Sequence, residues 1–120
     1  MTKHLLTIDD EAEIRELLRE ALTTAGYRVT AVATLAEALA VVRTDPPALV
    51  ITDLQLVDSD GFEVVEQVKA LQPALPILML TGVLLDPDEI PEEVGVKIAA
   101  YVPKTAPLKD ILQEVRRWAG

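Results

Sequence analysis

The chain alternates short apolar runs with longer stretches in which apolar residues recur every three or four positions, and the alternation repeats five times. The runs are HLLTI (4–8), YRVTAV (27–32), ALVITD (48–53), PILML (76–80) and AAYV (99–102), and they predict strands. The stretches between and after them predict helices. In the first, Ile14, Leu17, Leu18, Ala21 and Leu22 share one face, Asp10 and Glu13 are the capping candidates, and Gly26 ends the helix. The second opens on the capping-box pair Thr34 and Glu37, buries Leu35, Ala38, Leu39 and Val42, and stops before Pro46-Pro47. The third follows Gly61, carries Val64, Val65, Val68 and Leu71, and ends before Pro73. The last has Pro107 near its start and Leu108, Ile111, Leu112 and Val115 on its apolar side. The fourth is irregular. In DPDEIPEEVGVKI, Pro87 and Pro91 stand one turn apart and Gly95 follows. A proline inside a helix removes a hydrogen bond and clashes, so a short, late-starting helix near 91–97 is expected.

This alternation predicts a parallel sheet covered by helices on both faces. Right-handed crossovers gather the strand C-termini on one edge. ALVI and PILML lack polar alternation and suit central strands, whereas YRVTAV alternates and suits a sheet edge. The expected architecture is one doubly wound, flavodoxin-like α/β domain over residues 1–120. Its five-stranded parallel sheet has the order 2-1-3-4-5, with about five helices, the fourth short or irregular. Ligands in such sheets bind at the strand C-terminal edge, near the switch point.

Composition narrows the chemistry. Half the residues are apolar, which excludes a disordered chain. No apolar stretch is long enough to span a membrane, and MTKHLLTIDDE meets acid too early for a signal peptide, so a cytoplasmic location is expected. There is no cysteine for disulfides or thiolate metal sites, and the single histidine, His4, cannot build an imidazole cluster. Twenty acidic against eleven basic residues give a net charge of −9, which disfavours nucleic acid or an anionic membrane as direct partners.

What remains is carboxylate chemistry at the strand ends. Strand one delivers Asp9 and Asp10, strand three Asp53, strand four Thr81 followed by Gly82, and strand five Tyr101 and then Lys104. Taken singly, each has an ordinary structural reading. An aspartate after a strand is usually a turn former. Asp9-Asp10 suits a helix N-terminus. Thr81 is a strand-end hydroxyl, Lys104 a solvated charge and Tyr101 a core-edge ring. Asp58 and Asp60 read as turn and helix-cap residues, and His4 as an edge residue of the first strand. The joint placement is what points to a site. Three carboxylates together either take a proton or bind a cation. An all-oxygen set selects a hard ion, for which Mg²⁺ is the intracellular default. Lys104 offers a point charge for a phosphoryl oxygen, Thr81 a hydrogen bond and Gly82 an accessible amide. A carboxylate beside them is a nucleophile for phosphorus, giving an aspartyl phosphate by a transfer that needs positioning and charge neutralisation.

These residues and their order resemble the receiver domain of bacterial two-component response regulators, over essentially the whole chain. The matching pieces are the acidic pair in LLTIDDE, the acceptor region VITDLQLVDSDG, the hydroxyl in ILMLTG and the segment AYVPK. The resemblance implies a signalling domain and not an enzyme acting on other substrates. Asp53 would accept a phosphoryl group from a sensor histidine kinase or phosphotransfer protein. Asp10, Asp53 and the Gln55 backbone carbonyl would bind Mg²⁺ directly, with Asp9 acting through water. Thr81 and Lys104 would hold the phosphoryl oxygens, and Tyr101 would move inward as Thr81 swings toward the phosphate. An output domain, effector or homodimer partner would use the face from the fourth helix to the fifth. Gln55 and Val83 would flank the approach of hydrolytic water. Val83 can occlude water but not orient it, so a long-lived phosphate is expected.

The departures from the family pattern leave this set intact. Val57 stands where receivers often have proline. Thr105 follows Lys104 where many have proline after a cis bond; a cis bond before threonine costs ~3 kcal/mol, so trans is expected. Other classes fit less well. A haloacid dehalogenase-type phosphatase wants a second aspartate two residues after the nucleophile, where Gln55 stands. A flavodoxin-like ligand-binding domain wants a Ser/Thr/Gly-rich phosphate loop, where IDDEAE would repel phosphate. A non-phosphorylated interaction domain would not need Asp53, Thr81 and Lys104 together.

Overall fold

Five parallel strands form one sheet in the order β2-β1-β3-β4-β5 in the computed structural model, which describes residues 2–56, 59–82, 90 and 92–120. The strands are β1 (His4–Ile8), β2 (Arg28–Val32), β3 (Leu49–Asp53), β4 (Ile77–Thr81) and β5 (Ala100–Pro103). Each lies within a residue or so of the apolar run that predicted it. The helices are α1 (Ala12–Thr24), α2 (Leu35–Thr44), α3 (Gly61–Leu71) and α5 (Leu108–Ala119), with a single turn, α4 (Glu92–Gly95), fourth in chain order. The short fourth helix agrees with the expectation. Pro87 and Pro91 lie outside the described residues, as do Val57, Asp58 and Val83.

The sheet separates two apolar layers. Leu6, Ile8, Val50, Ile77 and Met79 point to α2 and α3 and pack with Ala38, Val42, Val64, Val65 and Val68. Leu5, Leu49, Ile51, Leu78 and Leu80 point to α1 and α5 and pack with Leu18, Leu22, Ile111 and Val115. Burial on both sides is why β1, β3 and β4 read as unbroken apolar runs, each buried at every position. β2, at one sheet edge, is buried only at Val32.

Local signals set three of the helix ends. The Thr34 hydroxyl accepts from the Glu37 amide at 3.2 Å, and the Glu37 carboxylate accepts from the Ala33 amide at 3.3 Å, closing the capping box one residue early. Asp60 caps α3, accepting from the Glu63 amide at 2.8 Å. After α1, Gly26 has φ +103°, and the Gly26 and Tyr27 amides donate to the Thr23 and Leu22 carbonyls. That is a Schellman ending, in which the left-handed turn favours glycine.

Two expectations need correction. Asp10 does not cap α1; Glu11 occupies the cap position with no side-chain cap bond, and its amide is taken by the Asp9 carboxylate instead. Leu17 and Leu108 are not core residues. They are 52% and 37% exposed and line a shallow apolar groove between α1 and α5. A helical apolar stripe wider than its contact with the sheet leaves its margin on the surface.

At the N-terminal edge of the sheet, His4 is buried, with Nε2 2.7 Å from the Thr30 hydroxyl. Nearby, Arg28 makes a two-pronged ion pair with Asp45 that holds the Asp45 carboxyl below its usual range. His4 is therefore at the opposite end of β1 from Asp9.

Candidate functional site

The strand C-termini bring Asp9, Asp53, Thr81 and Lys104 to one edge, because β1 and β4 both pair with β3 and β5 pairs with β4. The Leu54 amide bonds to the Leu80 carbonyl at 3.2 Å, continuing the β3–β4 ladder past Asp53. The Lys104 amide donates to the Thr81 carbonyl at 2.8 Å, which ties the lysine to the threonine's strand end. A cleft of about 230 Å³ opens there, lined by Glu11, Asp53, Leu54, Gln55, Thr81, Gly82 and Lys104.

Asp53 is buried. One carboxylate oxygen, Oδ1, accepts from the Leu54 amide at 2.7 Å, and Oδ2 accepts from Lys104 Nζ at 2.9 Å. Its backbone is pressed by α3. The Gly61 amide donates to the Leu54 carbonyl at 2.6 Å, and a Cβ at position 61 would lie 2.7 Å from the Asp53 carbonyl oxygen and 2.9 Å from Met79 Cε. Glycine is required at Gly61 for close approach, a role that its place before an apolar helix did not reveal.

Asp9 is buried as well. Its Oδ1 accepts from the Glu11 amide at 2.8 Å. Its Oδ2 lies 3.2 Å from Lys104 Nζ, in charge contact but outside hydrogen-bond geometry, and takes no hydrogen bond from the described residues. Burial pushes the Asp9 carboxyl above its usual range; the Glu11 amide and Lys104 oppose this, and the Asp53 charge adds to it. Asp10 is half-buried beside it, and one carboxylate oxygen from each of Asp9, Asp10 and Asp53 lies within 4.8 Å of the others. This all-oxygen set, with an Asp9 oxygen lacking a hydrogen-bond partner among the described residues, fits a hard divalent cation.

Lys104 faces three carboxylates: Glu11 Oε1 at 2.8 Å, Asp53 Oδ2 at 2.9 Å and Asp9 Oδ2 at 3.2 Å. Desolvation alone would lower its pKa. The contacts with Glu11, Asp53 and Asp9 outweigh that and hold the ammonium above the ordinary lysine range. Glu11 was not among the residues the sequence pointed to. Its only signal was being a third acid in succession after β1.

The other candidates sit as follows. Thr81 is buried at the cleft wall, and Gly82 is exposed beside it. Among the described residues, a Cβ on Gly82 would meet only Lys104 Cδ, at 3.9 Å, an ordinary contact. Gln55 is exposed and lines the cleft, on a turn bridged to Asp60. Tyr101 is outside the cleft, in a shallow groove with Ile90, Glu92, Gly95 and Val96, and partial burial raises its phenol pKa. The Lys104–Thr105 bond is trans, like every peptide bond among the described residues.

Residues 5–116 match the family model described as the response regulator receiver domain. The chain is 34% identical over 119 residues to the response regulator MprA of Mycolicibacterium vanbaalenii, covering 97% of this chain and 50% of that protein. MprA of Mycobacterium tuberculosis matches with the same identity and coverage. The chain thus spans about half the length of these curated relatives. Among solved structures, the HemR receiver domain of Leptospira biflexa is similar with a TM-score of 0.87 at 30% identity, covering 99% of this chain and 95% of that one. The response regulator TrrA of Thermotoga maritima, in complex with Mg²⁺-BeF, has a TM-score of 0.88 at 26% identity, covering 98% and 99%. Chemotaxis response regulator CheY4 of Vibrio cholerae has a TM-score of 0.86 at 27% identity, covering 98% of each chain.

Proposed function

The chain belongs to the response regulator receiver family of two-component systems, and from that premise we propose that it accepts a phosphoryl group on Asp53. The observation that carries this reading is the strand-end carboxylate of Asp53 in a cleft, 2.9 Å from the Lys104 ammonium and grouped with Asp9 and Asp10. An Asp53 oxygen attacks phosphorus, the bond from phosphorus to the donor nitrogen or oxygen breaks, and the leaving group departs with that bond's electrons. Lys104 and the Thr81 hydroxyl, at the cleft wall, hold phosphoryl oxygens. The Gly82 amide is a further donor. Asp10, Asp53 and the Gln55 carbonyl would hold a Mg²⁺ ion, with Asp9 acting through water. When bound, the ion supplies charge neutralisation shared between carboxylates and phosphoryl oxygens.

A small phosphodonor with Mg²⁺ tests this reading. One acid-stable, base-labile phosphoryl addition is expected by mass spectrometry, and no addition under saturating donor would end the proposal.

The cation assignment has its own test. With three carboxylates grouped, removing one direct ligand should cost most of the affinity. Asp10→Ala should lose Mg²⁺ binding, read from amide shifts in an NMR titration, while its apo stability holds or rises as like-charge repulsion falls. Unchanged Mg²⁺ affinity would remove Asp10 from the ligand set.

Phosphorylation acts by shifting an equilibrium between two conformations, with Thr81 linking the phosphate to Tyr101. A ligand moves such an equilibrium only by its differential affinity for the two states. Thr81→Ala should still take phosphate but show a reduced NMR response at Tyr101 and along β5. A full response in that variant would place the coupling elsewhere. The output or homodimer surface in this reading is the face from α4 to α5, on which Val96 is 80% exposed and lines a groove with Tyr101.

A further inference from the structure

We infer that Glu11 is a positioning residue, the alternative partner that receives Lys104 when a divalent cation engages Asp53 directly and Asp9 through water. The inference rests on the cation reading given above. Lys104 and the cation want the same oxygens. The ammonium lies 2.9 Å from Asp53 Oδ2 and 3.2 Å from Asp9 Oδ2, and both of those carboxylates belong to the group of three. A divalent charge drawn into that group repels the ammonium and competes with it for two of the three carboxylates it faces.

Lys104 cannot simply leave for water. Its side chain is 13% exposed, and it lines an apolar groove together with Ile14, Leu80, Ala106 and Ile111. An ammonium displaced without a partner would be a poorly solvated charge beside a like charge, and that cost would be subtracted from cation affinity.

Glu11 removes the problem. Its carboxylate is 2.8 Å from Nζ, it is not one of the three grouped acids, and its side chain is 60% exposed at the cleft mouth. A lysine has three N–H donors, so contact with Glu11 already exists before the cation arrives and needs only to be kept. The backbone favours this placement, because the Glu11 amide is bonded to Asp9 Oδ1 at 2.8 Å and fixes the Glu11 Cα next to the group. The acid therefore acts on the cation through Lys104, by reach, and not only through its charge at a distance.

Charge and reach separate experimentally. Mg²⁺ affinity is measured by NMR titration of backbone amide shifts in the wild type, Glu11→Gln, Glu11→Asp, Lys104→Met and the double variant Glu11→Gln/Lys104→Met. Glu11→Gln is expected to bind Mg²⁺ about three- to fivefold more weakly than the wild type. Glu11→Asp keeps the charge one methylene short of the ammonium and should lose a similar factor. In the Lys104→Met background, adding Glu11→Gln should have a smaller effect than in the wild-type background, so the double-mutant cycle reports the coupling. The inference is overturned if Glu11→Gln binds like the wild type, if Glu11→Asp binds like the wild type, or if Glu11→Gln costs the same factor with and without Lys104. Should Lys104→Met not fold, the Glu11→Asp comparison decides alone. A wild type that binds no Mg²⁺ overturns the cation site itself, an outcome distinct from a wild type that binds normally and a Glu11 variant that matches it.

Discussion

Asp53→Asn is expected to take up no phosphoryl group under conditions in which the wild type is modified to completion. The substitution is nearly isosteric. The side-chain amide oxygen of the variant would still accept from the Leu54 amide as Asp53 Oδ1 does at 2.7 Å, so the cleft keeps its shape. What disappears is the anionic oxygen that attacks phosphorus, and an amide is a far poorer nucleophile. Folding should not suffer. Lys104 retains Glu11 and Asp9 as charge partners, and Asp9 loses the neighbouring charge that helps push its carboxyl up. Thermal melts should therefore show a transition at or above the wild-type temperature. Mass mapping of the modified wild type should place the group on the peptide containing Asp53. Phosphate on another peptide, or a variant modified at the wild-type rate, would remove Asp53 as the acceptor.

Gly61→Ala should damage stability and function together, although position 61 contributes no functional group. The new Cβ would lie 2.7 Å from the Asp53 carbonyl oxygen and 3.0 Å from Leu54 Cα, both backbone atoms that no side-chain rotation can clear. Overpacking of this kind costs about 1–3 kcal/mol. Alanine's helix propensity returns up to ~1 kcal/mol of that at most. A lower midpoint in urea with an unchanged slope is the expected signature. Relief requires α3 and the Asp53–Leu54 peptide to part, which moves the acceptor relative to Thr81 and Lys104. Displacing a reacting group by about 1 Å can cost on the order of 100-fold in rate, so phosphorylation should slow far more than the stability loss alone would imply. Gly82→Ala is the stability control, since among the described residues its Cβ would meet only Lys104 Cδ at 3.9 Å. Equal melting of Gly61→Ala and the wild type would mean that α3 does not press on the acceptor strand.

The sequence by itself determined the five strands, their order and the edge at which the chemistry gathers. β3 and β4 are buried on both faces, so nearly every position must be apolar, and that requirement is visible in a linear string. A parallel sheet then places every strand C-terminus on one side, which is why Asp9, Asp53, Thr81 and Lys104 could be grouped without seeing a contact. Caps that close within three or four residues, at Thr34 and Asp60, were equally open to reading.

Only the tertiary structure decided matters that depend on the distance between elements. The apolar stripes of α1 and α5 did not reveal that Leu17 and Leu108 lie past the margin of helix–sheet contact. The acidic pair did not distinguish its members: Asp9 is the buried one whose carboxylate takes the Glu11 amide, and Asp10 is half-buried and caps nothing. Gly61 opens a helix in the sequence, but in the fold it lies under the Asp53 backbone. Glu11 reaches Lys104 across 93 positions of chain. Periodicity records which side of an element is buried, because burial repeats with the backbone's own geometry. It carries no record of which residue of another element arrives opposite, since that is set by the twist and spacing of the packed layers.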